Sequence, residues 1–230
     1  IEEISFRNQQ ILGTLSLPDT EEEIHPAVII SHGFKGDRRE RHIKGISDAL
    51  TEQGFATIRA DFTNNIGDSA GNFSDITVTQ ELEDLRVIFD TLTIRPDIDT
   101  QRIGAAGHSL GGLVTGIFAT GQPRVKSAAL LSPVFNVDRA MKNVFGKEYN
   151  TWEERGEASV YSKSREAYFP INYAFLEDAR IYNPEQSAKE LTQPLLVVQG
   201  DADTTVQDSR QWFDNATSVS SKKLVTIDGA

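Results

Sequence analysis

Cysteine is absent from the 230 residues of this chain, which excludes a disulfide framework and any thiolate metal site. Long apolar runs are missing as well: no stretch approaches the ~20 residues of a membrane helix, and no signal-peptide pattern opens the sequence. Cations are scarce, with 23 Lys and Arg against 34 Asp and Glu, so the formal net charge is −11 and the pI is near 4.8. Phosphate contacts need clustered Lys and Arg, so this balance argues against nucleic acid as a partner and disfavours polyanionic substrates. The four histidines and the carboxylates show no ligand spacing, so neither a metal nor a cofactor is expected. The first residue is Ile1 rather than Met, so a trimmed start is expected, with the cytoplasm as default location. The sequence leaves oligomeric state open, a homodimer included.

What is present is an ordinary globular composition, 38% hydrophobic and 25% charged, in a chain long enough for a substantial core. Short β-rich runs alternate with helical patterns. "EISFRNQQILGTLSLP" reads as a hairpin turning at Gln9-Gln10, and "HPAVIIS" as a strand buried on both faces. Apolar residues Ile43, Ile46 and Leu50 predict a helix over 39–53, followed by the strand "FATIRADF". Leu82, Leu85, Ile88, Phe89 and Leu92 share one face of a helix over 79–92. Strands at 102–107 and 125–133 flank a helix over 110–120, and strands at 194–200 and 222–228 flank one near 208–215. Repeated strand–helix–strand units predict an α/β fold, a mostly parallel sheet with helices on both faces.

Residues 134–189 break this rhythm, because a single crossover helix needs far fewer positions. All five tyrosines of the protein lie there, with Trp152 and four phenylalanines. The segment reads as an insertion with its own small core over one edge of the sheet, leaving 1–133 and 190–230 as the main unit.

"AAGHSLGG" places Gly107-His108-Ser109-Leu110-Gly111 between a strand and a helix, the context that a G-x-S-x-G nucleophile requires. Glycine on each side tolerates the sharp turn that lifts the serine Oγ above the sheet edge. The Leu110 N–H at the helix start is one candidate oxyanion donor. A second is the Phe34 N–H, in the "SHGFKG" loop after the strand at 26–31. His32 reads as a brace for this loop.

"VVQGDADTTV" supplies an acid after a strand. Asp203 is preferred, since Asp201 abuts the strand end where it holds the turn; the alternative makes both of them turn formers. A triad acid orients a histidine, yet the histidines are 25, 32, 42 and 108, all before Ser109. His108 adjoins the serine, where neighbouring side chains diverge. His25 and His42 are expected at the surface.

These stretches resemble the α/β-hydrolase family, and more closely bacterial feruloyl (cinnamoyl) esterases and their serine-aminopeptidase-like relatives. "SHGFKG", "ADFTNNIGDSAGNFSDITVTQELEDL", "GHSLGG" and "QGDADTTV" carry the likeness, the second with one extra residue before Gly67 relative to the usual D-F-x-G-x-G-x-S-x-G segment. The resemblance implies a serine carboxylesterase acting on a small-molecule ester, possible hydroxycinnamoyl or short-chain acyl groups included. It implies Ser109 as nucleophile, Phe34 and Leu110 as oxyanion donors, Asp203 as acid and 134–189 as a lid. It also implies a histidine in a G-A-x-H type segment and a final helix. "TIDGA" matches the start of that segment, so the base and the helix are expected beyond Ala230. A peptidase or thioesterase of the same fold, and a non-catalytic ligand-binding relative, are the alternatives.

Overall fold

The computed structural model describes residues 1–8 and 10–230, so the expected turn residue Gln9 lies outside the described residues. The opening run forms the antiparallel pair β1 (Glu2–Phe6) and β2 (Ile11–Ser16). Arg7 and Asn8 take left-handed φ values of 45° and 54° as the chain leaves β1. Then follow β3 (His25–Ser31), α1 (Arg41–Glu52), β4 (Ala56–Ala60), α2 (Val78–Leu92), β5 (Ile98–His108), α3 (Leu110–Gly121) and β6 (Ala128–Leu131). The insertion contributes α4 (Val137–Phe145), α5 (Tyr149–Arg155), β7 (Glu157–Ser162), β8 (Ala167–Asn172), α6 (Ala174–Ala179) and α7 (Pro184–Glu190). The chain closes with β9 (Leu195–Gly200), α8 (Arg210–Asn215) and β10 (Lys222–Ile227).

Among the described residues, eight strands form one sheet in the order β1-β2-β4-β3-β5-β6-β9-β10; β1 and β2 are antiparallel and the six from β4 onward run parallel. From β3 the chain goes outward to β4, then returns to the other side of β3 as β5. Such a reversal opens a crevice at the carboxyl ends of the two strands, where open α/β sheets bind ligands. Here those ends are Ser31 and His108, so the loop at 32–40 and the turn at Ser109 face the same crevice.

Helices cover both faces. Leu85, Ile88 and Phe89 of α2 pack with Leu113, Val114 and Phe118 of α3 in the large core, while Ile43 of α1 packs with Ile30 and Ala106 on the opposite face. Three expectations change. His25, expected at the surface, is 5% exposed, because β3 begins inside the sheet with its N–H bonded to the Asp97 carbonyl. On α2, Leu82 is only half-buried whereas Glu81 and Asp84 are buried. Residues 63–65 lay donors against those acids: the Thr63 N–H and Oγ1 bond Asp84, and Asn65 Nδ2 bonds Glu81. The insertion also lacks a core of its own, since its Met141, Trp152, Ile171 and Phe175 are continuous with the main core. Phe34 makes the join, its ring 5.3 Å from Phe73 and 5.7 Å from Phe175.

Candidate functional site

Ser109 leaves β5 at φ 56° and ψ −117°, a backbone conformation that L-residues rarely hold without support. The support is four backbone hydrogen bonds: its N–H donates to Leu131 O (2.9 Å), and its carbonyl accepts from Gly112, Leu113 and Val134. The flanking glycines are required by close approach. A Cβ at Gly107 would overlap the Gly111 carbonyl, and one at Gly111 would overlap the His32 carbonyl. The turn is therefore wedged against the loop that follows β3.

That loop comes equally near from its own side: a Cβ at Gly33 would lie 3.1 Å from Ser109 Cβ. His32 is fully buried, accepts from the Phe62 N–H at Nε2 (3.1 Å) and donates from Nδ1 to the Gly33 carbonyl (2.9 Å). Both ring nitrogens are thus used and the ring is neutral, its pKa held down by burial. Farther along, Arg38 donates to Asp61 through its backbone N–H (2.6 Å) and its guanidinium, both side chains being buried. Among the described residues, the backbone N–H of Phe34 and that of Leu110 make no hydrogen bond.

Both aspartates after β9 accept backbone N–H groups. Asp201 Oδ1 accepts the Gly229 N–H at 2.7 Å, and the Ala202 N–H bonds Ala230 O, which ties the turn after β10 to this loop. Asp203 Oδ1 accepts the N–H groups of Thr205 and Val206, and its charge reaches His108. His108 Nδ1 lies 3.1 Å from His42 Nε2, the two rings meeting edge to face. Burial first, and then the neighbouring His42, push the His108 pKa down to about 4, against the pull of Asp203. His42 is on the exposed side of α1, as expected from its sequence neighbours.

Ser109, Leu110 and Phe34 line one cavity of about 250 Å³, together with Thr205 and Val206 from the Asp203 loop. Asp203 itself does not line it. Sequence reasoning missed its far wall, Ala140, Met141, Asn143 and Val144 of α4, because nothing in a helical pattern says which sheet edge the helix will cover. A larger cavity of about 580 Å³ lies beyond, sharing Phe34, Lys35 and Val144 and roofed by the β7–β8 hairpin. Among the described residues no three His, Asp or Glu side chains converge as metal ligands, and no helix is long and apolar enough to cross a membrane.

The model of the prolyl oligopeptidase family matches residues 48–227. Among solved structures, Est1E from Butyrivibrio proteoclasticus with ferulic acid bound superposes with a TM-score of 0.85 at 27% identity, covering 100% of this chain and 90% of that one. Among curated proteins, the mouse mitochondrial palmitoyl-protein thioesterase ABHD10 is 27% identical over 88% of this chain and 67% of its own length. An uncharacterized 31.7 kDa Escherichia coli protein from the traX-finO intergenic region is 28% identical over 76% of this chain and 71% of its own.

Proposed function

We propose, from the premise that this chain belongs to the prolyl oligopeptidase family of α/β-hydrolases, that it is a serine carboxylesterase acting on small carboxylic esters. Ser109 Oγ attacks the ester carbonyl, and the oxyanion accepts the N–H groups of Phe34 and Leu110. The alcohol departs, and water cleaves the acyl-serine. Asp203 orients the imidazole that takes the serine proton. The observation that carries this assignment is the pair of N–H groups without acceptors, on two turns wedged together beside Ser109. Two such donors act where charge develops, and each is worth roughly 10²–10³ in rate.

The general base is not assigned to the histidines at 25, 32, 42 or 108. His32 spends both nitrogens on its own loop, His25 starts β3 at the end away from Ser31, and His42 and His108 bond each other. The role falls to an imidazole presented at the turn of Gly229 and Ala230, which is bonded beside the Asp203 loop. Residues 134–189 act as the lid, with α4 walling the Ser109 cavity. That cavity suits a short-chain or single-ring acyl group, and the likeness to Est1E with ferulic acid bound keeps hydroxycinnamoyl esters among the candidates.

Intact-mass analysis with a fluorophosphonate tests the assignment. One adduct on the wild-type protein and none on Ser109→Ala is expected, together with hydrolysis of 4-nitrophenyl acetate and butyrate that Ser109→Ala lowers at least ~10³-fold. A labelled Ser109→Ala protein overturns it. Higher kcat/KM for peptide anilides or for acyl thioesters than for oxygen esters replaces the esterase assignment with a peptidase or a thioesterase.

A further inference from the structure

Lys35 stands where the two cavities meet. It is the one ionisable side chain among the described residues that line the cavity of Ser109, and it also lines the larger one beside Lys163. Its ammonium donates to a neutral acceptor, the Tyr161 carbonyl, at 2.9 Å. Among the described residues no carboxylate lies within salt-bridge distance of Lys35 or Lys163, whereas the neighbouring Arg38, Arg39 and Arg165 are each paired. Burial and the Lys163 charge both press the Lys35 pKa down, so its positive charge is uncompensated. The acids on the larger cavity do not pair with it: Glu40 lies against Gly36, and Glu148 is exposed on the rim. An unpaired, half-buried cation on a substrate wall, in a protein of net charge −11, favours a ligand that brings one negative charge.

We propose that Lys35, with Lys163 behind it, binds a carboxylate that the substrate carries away from its scissile bond, so that monoanionic esters such as aryl hemiesters of dicarboxylic acids are preferred. This deepens the esterase assignment and rests on it for the reaction, though not for the binding.

Calorimetric titration of the Ser109→Ala protein with monophenyl adipate and with phenyl hexanoate, which match in chain length, separates the two ideas. About tenfold tighter binding of the anionic ester is expected at pH 7.5, shrinking several-fold between roughly 0.05 and 0.5 M salt. Added Lys35→Met is expected to bring the ratio to about one, and Lys35→Arg to keep it; thermal unfolding checks that each variant is folded. Equal affinities in the parent protein, or a preference that survives Lys35→Met, overturn the proposal. If the preference is found but the wild-type protein shows no Ser109-dependent hydrolysis of the 4-nitrophenyl analogues, the anion site stands and the hydrolase assignment fails. Hydrolysis without preference is the reverse.

Discussion

Arg165, in the turn between β7 and β8, donates to Asp37 Oδ2 at 2.9 Å, bridging the insertion to the loop that carries Phe34. With the Lys35–Tyr161 contact it gives the hairpin two polar ties to that loop. The Arg165 side chain is 34% exposed, which limits the energy of the pair. A double-mutant cycle with Asp37→Ala and Arg165→Ala should therefore give a coupling of about 0.5–1 kcal/mol by urea denaturation. A coupling indistinguishable from zero would mean that the hairpin is held by the Lys35–Tyr161 contact and by Phe34 and its aromatic neighbours.

Gly111→Ala should be severely destabilising, by about 3 kcal/mol or more, since its Cβ would press into the backbone carbonyl of His32, which cannot rotate away. Gly45→Ala provides the contrast. Nothing lies within 4 Å of a Cβ at Gly45, in the middle of α1, so alanine there should stabilise by about 0.5–1 kcal/mol. Melting temperatures of the two variants check both signs at once.

The buried pair of Arg38 and Asp61 invites a third measurement. Arg38→Met leaves the Asp61 charge inside with fewer donors, and a loss of about 3–5 kcal/mol is expected in denaturant unfolding. Because Asp61 also receives the Arg38 backbone N–H, the same variant should loosen the loop beside Ser109 and speed amide exchange there.

Two groups near the site tilt stability with pH in opposite directions. Glu40 is raised to about 7 by burial and then by Asp37, so the folded protein holds a proton there that the unfolded chain has released. That contribution is complete below about pH 4.5 and is lost as the pH rises through 7. Glu40→Gln should thus add about 1 kcal/mol at pH 8, after allowance for partial exposure, and nothing at pH 4. His108, lowered to about 4, behaves the other way: stability is full above about pH 6.5 and falls on acidification toward 4. His108→Asn should flatten that acid limb by on the order of 2 kcal/mol. Unfolding free energies from pH 4 to 8 for both variants decide the matter.

The sequence by itself determined the elements outside residues 134–189 and the turn at Ser109. Strands buried on both faces read as unbroken apolar runs, and a serine between two glycines after such a run has few backbone solutions. Local spacing carries that information, so the alternation of strands and helices, the Ser109 turn and the hold of Asp201 on its turn were legible. Tertiary structure alone decided what lies opposite each residue. His25 is inside because of where β3 enters the sheet; Glu81 and Asp84 are inside because residues 63–65 return to give them donors. Likewise, nothing in "HGFKGDR" distinguishes Lys35 from Arg38, although among the described residues one lacks a carboxylate and the other is tied to Asp61. Which partner a charge finds depends on segments distant in the chain, and only the packed sheet brings those segments together.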